Sequence, residues 1–428
     1  MPSRFPALAA KLWTSTRLTS SLARPAAFTS FFFHNTQWSS SPSSPSRPQT
    51  SWAPSPYPPP TIPLSTYKPT QTSPSLLRTL SLYSELSKTR LTILNVLTAM
   101  SGVALSPLPT TVPVLLATAL GTALCSASAN TMNQIQEIPY DAQMARTRNR
   151  PLVRRAITPL HATGFAIATG IAGPAILWTM VNPTTAVLGV ANVVLYAWVY
   201  TYLKRKSITN TWVGAVVGAI PPVMGWTACG GQLLPSASYP IALFIPKFLI
   251  DFVPSLSSLP IPDLAAIDNP LGPLALFLLL FSWQFPHFNS LSHLIRSSYA
   301  QAGYHMLSVV SPPHNALVSL RHALLMIPFC SILIPLSGLT TWAFALTSLV
   351  PNLMCTRAAW AFWRCAGNGE KEARKVWHAC LWYLPVILGL MMVHKNGMDW
   401  SEWIGLKKKT VVEGSLPVKG DENHVTPA

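Results

Sequence analysis

The chain has 428 residues, of which 49% are hydrophobic and only 10% charged. An average soluble domain carries about 25% charged residues, so the deficit excludes an ordinary water-soluble globule and points to lipid as the solvent. The formal net charge is +17, from 30 basic and 13 acidic residues, but the basic residues lie between apolar stretches and form no long basic face. That distribution excludes nucleic-acid binding and fits the positive-inside bias of a multispanning membrane protein.

No Asp or Glu precedes Glu85, while Arg4, Lys11, Arg17, Arg24, Arg47, Lys68 and Arg78 stand among many Ser and Thr residues. A basic, Ser-rich, acid-free beginning predicts a mitochondrial transit peptide over 1–38. Residues 39–84 are dense in Pro and Ser, with Pro58-Pro59-Pro60 at their centre. Such a stretch has too little apolar surface to offset ordering entropy, and a disordered linker is expected.

Residues 85–394 read as an all-α membrane domain. A spanning helix needs roughly 20 apolar residues. Nine candidates follow in order, near 92–108, 111–131, 158–180, 184–203, 211–229, 270–288, 317–337, 340–363 and 377–393. Between the fifth and sixth lies an insertion, 232–268. Its stretch 241–259 is apolar, but Lys247, Asp251 and two prolines argue against a crossing, so it reads as interfacial or re-entrant. A polar tail, 395–428, closes the chain. The six cysteines form no C-x-x-C pair and read as small buried hydrophobes, which excludes a disulfide framework or a zinc site.

Basic residues favour alternate loops. Lys88 and Arg90 precede the first span. Arg146, Arg148, Arg150, Arg154 and Arg155 follow the second, Lys204, Arg205 and Lys206 the fourth, Arg296 the sixth, and Arg364, Lys371, Arg374 and Lys375 the eighth. These loops are expected on the matrix side of the mitochondrial inner membrane.

Acidic residues are rare enough for position to carry meaning. Between Glu85 and Asp251 there are two, Glu137 and Asp141, at the expected matrix end of the second span. With Asn133 they are spaced i, i+4, i+8, which puts three oxygen ligands on one helix face about 6 Å apart. Pro139 between the carboxylates predicts a kink. Two carboxylates with open positions suit Mg²⁺, which completes its shell with water and substrate phosphates. Arg146 and Arg150 follow at a spacing of four, and guanidinium forks match phosphate oxygens. An ordinary charged loop would explain the arginines but not the carboxylates, and ionisable groups at membrane depth are costly and usually functional. Tyr200-Thr-Tyr-Leu-Lys204-Arg205 ends the fourth span and adds a second basic cluster. Trp283-Gln-Phe-Pro-His287-Phe-Asn289 ends the sixth, followed by His293, Tyr299 and His305, and Arg321 and His322 open the seventh. A single histidine here is as compatible with packing as with a ligand role.

Several strings together resemble the UbiA-type superfamily of intramembrane prenyltransferases, and within it the heme-farnesylating branch. They are Leu86-Ser-Lys-Thr-Arg-Leu-Thr, the segment Asn133 to Leu152, Tyr200-x-x-x-Lys204-Arg205, Phe281-Ser-Trp-Gln-Phe-Pro-His-Phe-Asn-Ser-Leu-Ser, Gly303-Tyr-x-Met306 and Leu320-Arg-His322. The resemblance covers about 84–394. It implies a bundle of nine helices around a central cavity open to the matrix, with Mg²⁺ held near Asn133, Glu137 and Asp141. It further implies farnesyl diphosphate gripped by Arg146, Arg150, Lys204 and Arg205, and Tyr200 facing the allylic cation. Heme B would be the acceptor, contacted by Trp283, His287, Arg321 and His322, and heme O the product. Partners implied beyond the bilayer are heme A synthase and factors that assemble cytochrome c oxidase. The chain departs from the family pattern in its long insertion and in Ile295-Arg-Ser-Ser298-Tyr299, where no acid precedes the tyrosine. Transfer to an aromatic or quinone precursor is the alternative within the family. From the residues alone a transporter is less favoured, because the ionisable groups cluster at one membrane face, and an assembly scaffold would tolerate neutral residues at 137 and 141.

Overall fold

The computed structural model describes residues 75–237, 239–253 and 268–398. The expected transit peptide, residues 39–74 of the linker and most of the C-terminal tail lie outside them. Fourteen helices form among the described residues and no strand. They are α1 Leu76–Leu86, α2 Thr89–Leu105, α3 Val112–Asp141, α4 Pro159–Met180, α5 Pro183–Leu203, α6 Asn210–Ala228, α7 Lys247–Phe252 and α8 Leu271–Leu294. Then come α9 Arg296–Gln301, α10 Leu307–Val310, α11 Pro312–Leu336, α12 Ala343–Thr347, α13 Leu349–Arg364 and α14 Glu370–Val393.

Eight of the nine expected spans each fall on one helix, while 340–363 falls on two, α12 and α13, separated at Ser348. Six helices, α3, α4, α5, α8, α11 and α14, are long and apolar enough to cross a membrane by length and composition. The others, α2, α6 and α13, have 17, 19 and 16 residues and do not meet that combined measure. Among its described residues the insertion holds no helix long enough to cross a membrane, and the one helix there, α7, has six residues.

One boundary needs correction. Residues 76–84, expected in the linker, belong to α1. The sequence Leu-Leu-Arg-Thr-Leu-Ser-Leu-Tyr-Ser-Glu-Leu is amphipathic, and the Ser75 hydroxyl caps its first turn by accepting from the Arg78 N–H. Tyr83 then stacks on Phe165 of α4, and Arg154 pairs with Glu85 at 2.8 Å.

The helices alternate between two ends of the bundle. At one end the Lys204 carbonyl accepts from the His305 N–H at 2.9 Å, and Tyr83 meets His161 at 2.7 Å. At the other, Asn182 donates to the Thr227 carbonyl at 2.6 Å, Lys395 donates to the carbonyls of Ala104 and Ser106, and the Phe244 N–H donates to the Leu336 carbonyl at 2.9 Å. All the basic loops named above share the first end. Among the described residues the loops of the second end carry only Lys247 and Lys395.

Small residues bring the helices close, as expected where lipid supplies no hydrophobic drive between them. A Cβ on Gly102 of α2 would collide with the Pro222 carbonyl of α6, and one on Gly225 of α6 with the Ala99 carbonyl of α2. An apolar core of Leu276, Leu279, Met326, Phe344, Phe362 and Ile387 joins α8, α11, α12, α13 and α14. The outer surface exposes Trp178, Trp198, Leu353, Met354 and Trp382, as a surface facing hydrocarbon should.

Candidate active site

Asn133, Glu137 and Asp141 line one face of the last turns of α3 and are 1%, 2% and 2% exposed. The helix runs through Pro139 to Asp141 without interruption, so the expected kink does not divide the set. Each oxygen donor is met by one cation. Lys88 donates to Asn133 Oδ1 at 2.7 Å, Lys204 to Glu137 Oε1 at 2.7 Å, and Arg150 to Asp141 Oδ2. Arg150 also lies 3.8 Å from Glu137 Oε2. The cluster therefore sets two carboxylates and an amide oxygen against two lysines and one arginine in a buried place.

The two lysines respond in opposite ways. Burial, followed by the nearby Arg150 guanidinium, holds Lys88 well below the ordinary ammonium range. Burial also disfavours charge on Lys204, but the Glu137 carboxylate together with the phenols of Tyr200, Tyr304 and Tyr299 outweighs it and holds Lys204 well above its ordinary value. An anion arriving beside Lys88 would relieve its repulsion with Arg150.

The end of α5 shapes the neighbouring wall. Residues Leu195–Tyr200 form a π turn, a wider winding that occurs most often at functional sites. It puts Tyr196 and Tyr200 on one face, stacked with centroids 5.3 Å apart. The carbonyl of Ala197 in this turn accepts from Gln136 Nε2 at 2.7 Å, and Asn133 Nδ2 donates to Thr201 Oγ1 at 3.0 Å. Tyr196 accepts from Lys88 at 3.2 Å, and the Lys204 ammonium lies 5.2 Å from the Tyr200 ring centre. Gly214 of α6 leaves room for Tyr200, since a Cβ there would stand 3.0 Å from its ring.

Below this cluster a cavity of about 600 Å³ opens between α2, α3, α5, α6, α8 and α14. Its walls are mostly apolar, and its size falls within the range of small-molecule pockets. Tyr196 and Tyr200 line it on the side of the cluster, and Trp283, Gln284, Phe285, His287 and Phe288 line the α8 side. Trp283 donates to the Cys380 carbonyl of α14 at 3.0 Å and stacks on His287, whose Nδ1 has no hydrogen-bond partner in the protein.

The sequence-derived residues divide accordingly. Asn133, Glu137, Asp141, Arg150, Lys204 and Tyr200 come together, and Arg205 lies 5.3 Å from the Tyr140 ring at the same end. Arg146 is exposed in the turn after α3. Trp283 and His287 reach the cavity. His322 does not line it: its ring stacks on Phe285, and its Nδ1 lies 2.9 Å from the Val318 carbonyl, while Arg321 is exposed. Sequence reasoning missed Lys88 and Tyr196. Lys88 looked like an ordinary flanking charge, and the π turn that aims Tyr196 has no composition signal.

Among the described residues no cluster of three or more His, Cys, Asp or Glu could hold a metal. The candidate set is two carboxylates and one amide oxygen, a hard-oxygen set that fits Mg²⁺ sharing its shell with phosphate. Four cysteines are buried and none is disulfide-bonded, with Cys355 and Cys380 meeting at 3.7 Å.

Residues 95–384 match the model of the UbiA prenyltransferase family. The chain is 44% identical over 331 residues to the protein named mitochondrial protoheme IX farnesyltransferase of Yarrowia lipolytica, covering 74% of this chain and 63% of that one. The proteins of that name from Gibberella zeae and Eremothecium gossypii are 42% and 40% identical, with 79% and 74% of this chain and 65% and 69% of theirs covered. The chain thus spans just under two thirds of the length of the first two. Among solved structures, one described as concerning digeranylgeranylglyceryl phosphate synthase matches with a TM-score of 0.55 at 14% identity, over 74% of this chain and 98% of the other. The apo structure of a UbiA homolog from Aeropyrum pernix K1 matches at 0.50 and 16%, over 71% and 97%. At such identities these two show a shared fold.

Proposed function

Because the chain belongs to the UbiA prenyltransferase family, we propose that it transfers a farnesyl group from farnesyl diphosphate to a vinyl group of heme B, giving heme O. The observation that carries this reading is the buried triad of oxygen donors, each met by a cation, next to an apolar cavity whose lining Tyr196 and Tyr200 contact the same lysines. The apolar cavity suits a prenyl chain and the cationic cluster suits its diphosphate.

Lys88, Arg150 and Lys204 turn from their present partners to the diphosphate oxygens, with Arg146 and Arg205 joining from the turns beside them. The freed oxygens of Asn133, Glu137 and Asp141 are then the residues that would hold Mg²⁺. When bound, that ion neutralises charge building on the departing diphosphate. The bond between the farnesyl C1 and oxygen breaks, and the terminal vinyl carbon attacks C1. The faces of Tyr196 and Tyr200 flank the allylic cation and stabilise it through their ring electrons. Trp283 and His287 offer a flat, partly polar wall to the porphyrin. Water adds to the inner vinyl carbon, and the proton released passes to the diphosphate. Apolar walls keep other water from the cation.

The relatives' names support heme as acceptor and mitochondria as location. The concentration of basic loops at the active end supports nine crossings with that end facing the matrix. The test is direct: purified protein with heme B, farnesyl diphosphate and Mg²⁺ should yield heme O by mass spectrometry. Farnesylation of an aromatic acid but not of heme overturns the reading.

A further inference from the structure

We propose that Thr122, Asn130 and Asn192 form a water site inside the cavity that delivers the product's hydroxyl group. The inference rests on the farnesyl-transfer reading and specifies its last step.

All three residues line the cavity, and each presents a buried oxygen with no hydrogen-bond partner in the protein: Thr122 Oγ1, Asn130 Oδ1 and Asn192 Oδ1. The Thr122 hydroxyl departs from a pattern common in the bundle. Thr118, Thr131, Thr163, Thr169 and Thr179 each donate to the carbonyl four residues earlier at about 2.8 Å. Asn130 has its amide orientation fixed, because its Nδ2 donates to the Ser87 carbonyl at 3.1 Å. Its Oδ1 is therefore an acceptor that lacks a donor. Asn192 sits one turn before Tyr196 on α5. An unpaired buried polar group costs on the order of 1–3 kcal/mol, and three that line one cavity, two on α3 and one on α5, call for ligands within it.

The missing ligand must donate hydrogen bonds to the asparagine oxygens. A prenyl chain has no donor. A metalloporphyrin with ionised propionates offers acceptors only. Water donates two hydrogen bonds, and buried waters settle on otherwise unsatisfied groups of this kind. Thr122 and Asn130 are eight residues apart, about 12 Å along α3, so the site holds a short row of waters rather than one. With Ser126, these residues continue the polar face of α3 from Asn133, Glu137 and Asp141 into the cavity.

In the step itself, the water oxygen bonds to the inner vinyl carbon of the farnesylated cation, and one water proton leaves toward the diphosphate. Without positioned water, the same cation loses a proton from the adjacent CH₂ and becomes an alkene, lighter than the alcohol by one water. The ratio of the two products therefore reads the site separately from the transfer step.

The experiment measures that ratio by mass spectrometry in single-turnover reactions of the full chain with heme B, farnesyl diphosphate and Mg²⁺. Thr122→Val, which keeps the side chain's shape, and Asn192→Leu should each raise the alkene-to-alcohol ratio roughly tenfold, the equivalent of one lost hydrogen bond. Thr122→Ser should restore the wild-type ratio. If Thr122→Val does not fold, Asn192→Leu carries the same expectation. Unchanged ratios in folded variants overturn the proposal. So does a folded variant that makes neither product, because its side chain would then act before water does. A wild-type protein that farnesylates no heme counts instead against the parent reading.

Discussion

Lys88 and Lys204 should fail differently when each is replaced by Met, which keeps the stem and removes the ammonium. Lys204 is bound to Glu137 at 2.7 Å with the carboxylate 2% exposed. Removing one partner of a buried pair leaves the other uncompensated, at about 3–5 kcal/mol. Lys88 instead bonds two neutral groups, Asn133 and Tyr196, and is already pushed toward neutrality by burial and Arg150. Its removal strands Asn133 Oδ1, at about 1–3 kcal/mol, but also withdraws a repelled buried charge. Lys88→Met should therefore cost clearly less stability than Lys204→Met in thermal unfolding in detergent. Its turnover should still fall, because one charge-assisted contact to the diphosphate, about 1.5–3 kcal/mol, is lost. That corresponds to roughly 10- to 150-fold in kcat/KM for farnesyl diphosphate. Full activity of Lys88→Met, or destabilisation equal to that of Lys204→Met, would refute this division of labour.

Other expectations can be tested alongside. Glu137→Gln and Asp141→Asn should each lower turnover about a hundredfold or more and raise the Mg²⁺ requirement, whereas Ser298→Ala should be nearly silent in initial-rate assays. His287→Ala should weaken retention of heme B, read from its absorbance, without affecting diphosphate binding; His322→Ala, away from the cavity, should retain heme normally. Gly225→Ala should lower the unfolding temperature, since overpacking against the Ala99 carbonyl costs about 1–3 kcal/mol or more. A single reporter cysteine at exposed Gln143 and another at exposed Ser236 should label from opposite sides of the membrane; labelling from one side would remove the proposed topology.

Much of this arrangement was legible because membrane chemistry is strict. Long apolar runs have few places to go, so nine helices could be located from residue type alone. Two carboxylates in a stretch almost free of acids marked the site for the same reason: lipid makes an idle charge expensive. Side-chain direction was less accessible. Arg321 and His322 lie on α11, which packs against α8, but the helix register turns them away from the cavity. The π turn in α5 shifts Tyr196 toward Lys88 through one additional residue of winding, which periodicity at 3.6 does not encode. The start of α1 was hidden by the Pro- and Ser-rich composition just before it, although Ser75 and Arg78 supply a local cap.

Where the insertion leaves and rejoins the bundle its two ends are clasped together, the Gln232 N–H donating to Asp268 Oδ2 at 2.6 Å. Asn269, next to it, donates to the carbonyls of Ala242 and Ser337, so the return point is pinned to both the insertion and the neighbouring helix end. Chain length between the two sides of the clasp is thereby uncoupled from the positions of α6 and α8. Each doubling of such a loop costs only about 0.6 kcal/mol in closure entropy. Descendants of this sequence can gain or lose residues there without retuning the catalytic end, and variation in length should accumulate at that place before any other in the bundle.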